Sequence, residues 1–585
     1  MKKLLIFLMI LILGTGTLLQ TALAEGTAQI TVRFGDPGCA TVFTWDFPYS
    51  DEWFLQPESR FNREMAQGSI GLAVCAYQPL KKQKDLEPQY DVYLSGAGFE
   101  GIYTFGYDTS SGPDTFAGII ARKKIGDYTV IAVAGRGSGY SKEWGGNLKL
   151  GDGKEHAGFR AAADILEAEL EKYLTENAVK GPVVLWTAGY SRSAAVGNLA
   201  AADWTASGKF DRVYAYFFAC PRVTEDPVKT GNIFNVCGAQ DFVTQIPMQS
   251  YGFERNGTDV FLPSEETVSD SGRMKNTASE TAQRLTGLRM SNNPEFNLMN
   301  RLGISLLGDI FQEREEYANL LQNNLLAGIP AGDVAEVTEM LPNLIISALG
   351  VSLPKDRKPY ILSMTQLGTL ATLMITLGKD ELIRTGAWDT GTDLFVNIAR
   401  EHLVSSYISW IFSALTDEEI LHEAALGRIL FLDGCRSLTV YRNGEIQWTL
   451  EDGITRKETE EADGFVGRFS SVTAVMLPTD GDWQLTAGTE EGTLRALEIM
   501  LSPDQTFCES CVCYLNDSAR ENAYELTIQG TGRLTEPSGG DLIRNAEMTC
   551  DAKDIVALLT RGFTAESVQK IFAGAFGENS GTALP

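Results

Sequence analysis

Apolar and polar residues along the first part of the chain form blocks that fit strands and helices in turn. Short apolar and β-branched runs at 128–134 and 183–187 predict strands buried on both faces. Between them, residues 159–174 carry an apolar residue every three or four positions, which predicts a helix. Strands and helices that follow one another in this way predict a parallel sheet covered by helices.

The pattern changes twice further along the chain. Helical periodicity with few strand-like runs dominates from about residue 258 to 395, which predicts a helical insertion. Beyond residue 428, apolar alternation flanks the turn residues Asn443-Gly444, and a second pair of runs flanks residues 479–482. We therefore predict an α/β domain over residues 25–427 that contains the insertion, and a β-rich accessory domain over residues 428–585.

The first 24 residues have the features of a signal peptide. Lys2 and Lys3 precede an apolar run at 4–13, and small residues at 22–24 permit cleavage after Ala24. A retained membrane anchor is the alternative. Cleavage predicts a secreted or extracytoplasmic protein, and the loss of two lysines changes the formal net charge from −27 to −29. Such an acidic excess argues against nucleic acid as a partner.

A candidate nucleophile stands where the strand at 183–187 gives way to an alanine-rich helix. The pentapeptide Gly189-Tyr190-Ser191-Arg192-Ser193 approximates the G-x-S-x-G turn of a nucleophile elbow, with Ser193 in place of the second glycine. In such a turn a strained backbone lifts the serine hydroxyl above the sheet. The N–H of Arg192 then faces the oxyanion that forms when the serine attacks a carbonyl. The alternative role for Ser191 is an ordinary helix N-cap.

In the α/β-hydrolase fold that this elbow predicts, an acid and then a histidine follow the serine along the chain. Asp241 leaves the carboxyl end of a predicted strand at 233–236, where loops form the active face of a parallel sheet. The chain has three histidines. His156 precedes Ser191, and His422 lies in a charged helical stretch typical of the surface. We predict Asp241 as the acid and His402 as the base, with His422 as the alternative base.

Nine cysteines leave at least one unpaired within the chain. Cys508, Cys511 and Cys513 form a cluster, for which we expect either free thiols or a disulfide to Cys435 or Cys550. A metal site is the weaker alternative, because the C-x-x-C spacing lacks a second pair and a nearby histidine. No nucleotide-binding loop stands out, so we predict neither a cofactor nor a metal.

Several segments, taken in order, resemble the class 3 lipases and especially their bacterial secreted relatives. The resemblance covers roughly residues 50–255 and 390–412. The segments are Gly135-Arg136-Gly137-Ser138 (R-G-T in the family), His156-Ala157-Gly158-Phe159 (H-x-G-F), Cys220-Pro221-Arg222-Val223 (A-P-R-V), Asn235 with Asp241, Val243 and Pro247 (N…D-x-V-x-x-x-P), and His402 with Tyr407 (H-x-x-x-x-Y). The chain departs from the family at Ser193 and in the long stretch between the predicted acid and histidine.

The resemblance implies an α/β-hydrolase fold, with a mostly parallel sheet and helices on both faces. It implies Ser191, Asp241 and His402 as a catalytic triad, with main-chain oxyanion donors at Ser138 and Arg192. It also implies that the histidine of the H-x-G-F segment is structural and not the base.

These expectations together predict a secreted serine carboxylester hydrolase that cleaves an acyl ester or lipid through an acyl-enzyme. A carbohydrate deacetylase with the same triad is one alternative, and a catalytically silent binding protein with the same fold is another. The insertion is either a lid over an acyl site or a packed helical layer. In the accessory domain, Trp448 and Trp483 are candidates for contact with a cell surface or polymer, although aromatic residues in strands more often pack in a core.

Overall fold

The computed structural model describes most of the chain up to residue 262 and separate stretches beyond it. The described residues are 27–35, 42–77, 89–107, 115–137, 144–147, 149–238, 241–247, 252–262, 271–286, 402–417, 420, 427–451, 453–459, 465–469, 472–477, 481–489, 494–501, 510–516, 523–530, 532–535 and 542–548. The predicted signal peptide and the predicted insertion from residue 287 to its end at about residue 395 lie outside them.

A seven-stranded sheet forms the centre of the α/β part. In chain order its strands are β3 (Glu100–Phe105), β4 (Gly118–Ile125), β5 (Tyr128–Gly135), β6 (Val183–Tyr190), β7 (Arg212–Phe218), β8 (Ile233–Gly238) and β9 (Thr258–Leu262). They lie side by side in this order. The five strands from β5 to β9 are parallel, whereas β3 and β4 are antiparallel to their neighbours. The carboxyl ends of β6 and β8 therefore open at one edge, where Ser191 and Asp241 follow them.

Helices cover both faces of this sheet because successive side chains of a buried strand point to opposite sides. In β6, Trp186 and Tyr190 join one apolar cluster, while Leu185 joins another on the opposite face. The helices of the α/β part are α1 (Arg63–Cys75), α2 (Tyr90–Gly96), α3 (Trp144–Asn147), α4 (Ala157–Glu176), α5 (Arg192–Ser207), α6 (Ser271–Thr286) and α7 (Val404–Ser413). This arrangement confirms the predicted α/β-hydrolase fold class.

The two faces are covered by different helices. Residues of α4 and α5 pack in the cluster around Leu185. The cluster around Trp186 contains residues of α1, α6 and α7, together with the antiparallel pair β1 (Ala28–Phe34) and β2 (Phe43–Tyr49). Because α7 begins two residues after His402 and packs in this cluster beside α1 and α6, it brings a histidine that is remote in sequence to the edge where Ser191 lies.

Strands dominate the described residues from 427 onward. The strands are β10 (Gly427–Asp433), β11 (Cys435–Arg442), β12 (Glu445–Glu451), β13 (Ile454–Lys457), β14 (Phe465–Phe469), β15 (Val472–Leu477), β16 (Asp482–Thr489), β17 (Arg495–Leu501), β18 (Ser510–Asn516), β19 (Tyr524–Gln529) and β20 (Leu542–Met548). A six-stranded sheet has the order β14-β15-β10-β17-β18-β20, and a five-stranded sheet has the order β13-β12-β11-β16-β19. Apolar residues from both sheets share one core, as in a β-sandwich.

Some of the sequence-based predictions for this β-rich part can be compared with the structure. Trp483 is fully buried in the sandwich core, so it is not a surface residue, and Trp448 packs against the same core. Cys435 is a buried free thiol, so the alternative of a disulfide to Cys435 is wrong. The alternative partner, Cys550, lies outside the described residues.

The predicted insertion does not begin at residue 258. Thr258–Leu262 is β9, which pairs with β8 and extends the sheet, because Val260, Phe261 and Leu262 are buried there. The first described helix after it is α6, which is amphipathic and packs beside α7. Within the part of the chain that the structure describes, no helix is long and apolar enough to cross a membrane.

Candidate active site

Ser191 occupies a strained turn between β6 and α5. Its backbone has φ 58° and ψ −126°, a region that L-residues rarely adopt. Although it stands at the N-cap position of α5, its side chain makes no capping hydrogen bond. Its main-chain N–H instead donates to the carbonyl of Phe218 on β7, at 2.9 Å. The N-cap alternative for Ser191 is therefore wrong, and the turn has the geometry of a nucleophile elbow.

The elbow closes only because small residues flank it. A Cβ atom added to Gly189 would lie 2.5 Å from the carbonyl oxygen of Ser193, which is closer than real Cβ contacts allow. Glycine is thus required on the strand side of the turn. On the helix side, Ser193 is 2% exposed in the first turn of α5, and its hydroxyl lies against the main chain of Tyr190.

His402 and Asp241 lie beside Ser191 in a single chain of hydrogen bonds. The Nε2 atom of His402 is 3.0 Å from Oγ of Ser191. Its Nδ1 atom is 2.8 Å from Oδ2 of Asp241. The Asp241 side chain is completely buried, and that of His402 is 18% exposed. A carboxylate on Nδ1 favours the tautomer with its proton on Nδ1, which leaves Nε2 able to accept the serine proton.

Tyr407, on the first turn of α7, holds the carboxylate of Asp241 from a second side. Its hydroxyl donates to Oδ2 of Asp241 at 2.7 Å and accepts from the main-chain N–H of Gly238 at 2.7 Å. Burial, followed by the charge of Asp241, raises the pKa of Tyr407 well above its ordinary value. The hydroxyl therefore remains a proton donor at any working pH.

The buried Arg255 holds the loop that carries Asp241 in place. The hydroxyl of Thr244 donates to the main-chain carbonyl of Asp241 at 2.8 Å. Arg255 donates to the carbonyls of Thr244, at 2.6 Å, and Cys220, at 3.1 Å. Its charge is balanced by Asp259, 2.7 Å away. Because these groups are fixed before any ligand binds, the carboxylate is pre-oriented toward His402.

The other residues considered in the sequence analysis, His156, His422 and Ser138, do not join this hydrogen-bonded chain among the described residues. His156 is 2% exposed and caps α4, where its Nδ1 accepts the N–H of Phe159 at 3.3 Å. Its Nε2 is 3.2 Å from the carbonyl of Asn147, which fits a structural histidine. His422 and Ser138 lie outside the described residues. The structure therefore unites three of the predicted side chains and gives no position for the predicted oxyanion donor Ser138.

Arg192, the other predicted oxyanion donor, is the first residue of α5, directly after Ser191. Its guanidinium is buried. It donates to Oδ1 of Asn147 at 2.9 Å and to the carbonyl of Thr115 at 3.1 Å. These contacts tie the start of the helix, and with it the Arg192 main chain, to two neighbouring segments.

The contacts of two further residues of the site, Tyr190 and Tyr407, were not predicted from the sequence. The ring of Tyr190 stacks on the imidazole of His402, with centroids 5.5 Å apart and planes at 27°. The hydrogen bond from Tyr407 to Asp241 was also not predicted. Tyr407 belongs to the H-x-x-x-x-Y segment, but the spacing of that segment does not indicate which group the hydroxyl binds. Within the described residues, no group of three or more potential ligand side chains could hold a metal ion.

Residues 133–251 match the family described as Lipase (class 3). The match begins in β5, includes the elbow at Ser191 and extends past Asp241. The α/β part of the chain is therefore class 3 lipase-like. No curated protein matches the chain.

Several solved structures are similar to part of the chain. One is a triacylglycerol lipase whose catalytic centre is a serine protease triad, with 16% identity and a TM-score of 0.26, covering 35% of this chain and 83% of that one. Lipase II from Rhizopus niveus has 17% identity and a TM-score of 0.26, covering 34% and 81%. A lipase from Rhizopus microsporus var. chinensis has 17% identity and a TM-score of 0.24, covering 34% and 74%.

Proposed function

We propose that this class 3 lipase-like chain is a serine carboxylester hydrolase with Ser191, His402 and Asp241 as its catalytic triad. The observation that supports it most is the unbroken line of contacts from Ser191 Oγ to His402 Nε2, at 3.0 Å, and from His402 Nδ1 to Asp241, at 2.8 Å. Ser191 and His402 are 211 positions apart in the sequence, and His402 and Asp241 are 161 positions apart, so their meeting at a strained elbow is specific to the fold.

The first half of the reaction forms an acyl-enzyme. His402 Nε2 accepts the proton of Ser191 while Oγ attacks the ester carbonyl carbon, and the carbonyl oxygen becomes an oxyanion. The main-chain N–H groups of Arg192 and Ser138 are the proposed donors to that oxyanion. When the tetrahedral intermediate collapses, His402 returns its proton to the departing alcohol, and the acyl group remains on Ser191.

The second half repeats these steps with water as the nucleophile. His402 accepts a proton from water, whose oxygen attacks the acyl carbon, and the carboxylic acid leaves as Ser191 regains its proton. Asp241 keeps the imidazole in one tautomer and stabilises the imidazolium that forms in each half. Its complete burial strengthens that interaction, because little solvent screens it.

The proposed substrate is an acyl ester or lipid, which the match to class 3 lipases supports. The proposed location is outside the cytoplasm, because residues 1–24 have the pattern of a signal peptide. A catalytically silent binding protein with the same fold is the alternative. The 3.0 Å contact between His402 Nε2 and Ser191 Oγ favours the hydrolase over it.

Hydrolysis of a series of p-nitrophenyl esters, from acetate to palmitate, tests the proposal. The parent should hydrolyse at least one ester, and Ser191→Ala should lose about a thousandfold or more of kcat. Ser207→Ala is the matched control, because it removes a serine hydroxyl from the other end of α5 and should leave kcat unchanged. Equal hydrolysis by the parent and Ser191→Ala would reject the proposal. Preference for acetylated oligosaccharides over all simple esters would instead favour the carbohydrate deacetylase.

A further inference from the structure

Ser193, which replaces the usual second glycine of the elbow, makes two hydrogen bonds to the same residue. Its Oγ accepts the main-chain N–H of Tyr190 at 2.9 Å and donates to the main-chain carbonyl of Tyr190 at 3.0 Å. The side chain is 2% exposed, so water has little access to these bonds. A glycine at this position could make neither of them.

The position of Tyr190 in the sheet directs its peptide groups toward the hydroxyl of Ser193. On one side, pairing of β6 with β5 ends at Ala134 and Ala188. On the other side, pairing with β7 continues through Tyr190, and the N–H of Ser191 donates to Phe218 of that strand. In a parallel strand, successive residues bond to opposite neighbours, so the peptide groups of Tyr190 point to the side where β5 has ended. The hydroxyl of Ser193 occupies this place.

Tyr190 connects both reacting side chains of the proposed triad. It immediately precedes Ser191, whose φ of 58° must be held against strain. Its ring stacks on the imidazole of His402 and lies edge-on to Tyr407, with centroids 5.5 Å and 6.0 Å away. A shift of the Tyr190 backbone would therefore move the nucleophile and the support of the base together.

We propose that Ser193 is a positioning residue that acts through Tyr190 to hold the nucleophile Ser191 and the base His402 in their relative positions. The proposal rests on the proposed hydrolase function and adds a residue to it. Space filling does not account for the serine, because alanine would fill nearly the same volume without the two hydrogen bonds. The neighbouring Gly135, whose added Cβ would lie 2.9 Å from Ser193 Cβ, keeps the site open for this side chain.

Three variants test the proposal. Ser193→Ala removes the hydroxyl and keeps the Cβ, and Ser193→Gly restores the residue that the elbow motif usually has. Ser207→Ala is the matched control in the same helix, because the Ser207 hydroxyl also donates to a carbonyl, that of Trp204 at 2.8 Å, and accepts an N–H, that of Lys209 at 3.3 Å. The measurements are kcat and KM on the best p-nitrophenyl ester, and hydrogen exchange of the Tyr190 amide.

Both Ser193 variants should lower kcat by about tenfold and keep KM within about twofold of the parent. The relative positions of Ser191 and His402 affect the transition state, whereas binding of the ground-state ester does not depend on them. Exchange of the Tyr190 amide should accelerate by about tenfold or more in both variants. Ser207→Ala should change neither quantity.

A purely structural role predicts a different result. If either folded Ser193 variant retains the kcat of the parent, or if exchange of the Tyr190 amide stays unchanged, the proposal is wrong. Ser193→Gly decides the matter if Ser193→Ala does not fold. A parent that hydrolyses no ester would reject the proposed function, and the exchange of the Tyr190 amide would then decide whether Ser193 holds the elbow.

Discussion

Replacing Tyr407 with phenylalanine isolates the contribution of one hydroxyl to the proposed active site. The change keeps the ring, which packs on Tyr190, and deletes the donor to the carboxylate of Asp241. It also removes the acceptor that the main-chain N–H of Gly238 uses. No charge is added and no large cavity is opened, so the effect reports these two hydrogen bonds.

The expected magnitude follows from the two partners. A hydrogen bond to a charged group contributes about 1.5–3 kcal/mol, and a buried N–H left without an acceptor costs about 1–3 kcal/mol. We therefore expect Tyr407→Phe to lower the free energy of unfolding by about 3 kcal/mol. Because the carboxylate then has more freedom beside His402, we expect kcat to fall by about tenfold at a nearly constant KM.

Urea denaturation and ester hydrolysis measure these two effects separately. Tyr103→Phe is the matched control, because the Tyr103 hydroxyl also donates to a carboxylate, that of Glu169, at 2.7 Å. That pair lies near the surface and away from Ser191, so its loss should cost less than about 1 kcal/mol and leave kcat unchanged. A Tyr407→Phe protein with the kcat of the parent would refute the idea that Tyr407 orients the acid, even if its stability falls.

Three other substitutions have expected outcomes of different kinds. Asp241→Asn should keep the fold and lower kcat by roughly ten-thousandfold in an ester assay, because the amide favours the wrong histidine tautomer. Burial, opposed by the ion pair with Arg160, raises the pKa of Glu167 to about 7. Since the folded state holds this proton more tightly than the unfolded chain does, stability in urea should decline as the pH rises toward about 7, and Glu167→Gln should flatten that decline. Glu498→Ala leaves the fully buried Arg428 without the carboxylate 2.9 Å away, and should lower the unfolding free energy of the sandwich by about 3–5 kcal/mol in calorimetry without altering kcat.

The order of the central elements was predictable from the sequence because local patterns determine it. Strands β5 and β6 and the helix α4 have apolar runs whose length and period distinguish strand from helix. The elbow was also predictable, since a serine between a buried strand and an alanine-rich helix is a local feature. The antiparallel β3 and β4 have weaker patterns, because only part of each strand is buried.

Contacts between distant segments were less predictable. The choice of His402 over the other histidines followed from chain order and from the family resemblance, while its contact with Ser191 arises from the packing of α7 beside α1 and α6. The stacking of Tyr190 on His402 and the bond from Tyr407 to Asp241 depend on side-chain directions that sequence spacing does not determine. The strand β9 was missed because five residues carry too short a pattern to separate strand from insertion.

The most direct test of the central claim is the reaction of Ser191 with a fluorophosphonate, located by mass spectrometry of the labelled peptides. The parent should carry the phosphonyl group on Ser191, and His402→Ala should react at least about a thousandfold more slowly, because the base that activates the serine is gone. Labelling that is absent from Ser191 in the folded parent, or equally fast in His402→Ala, would contradict the account.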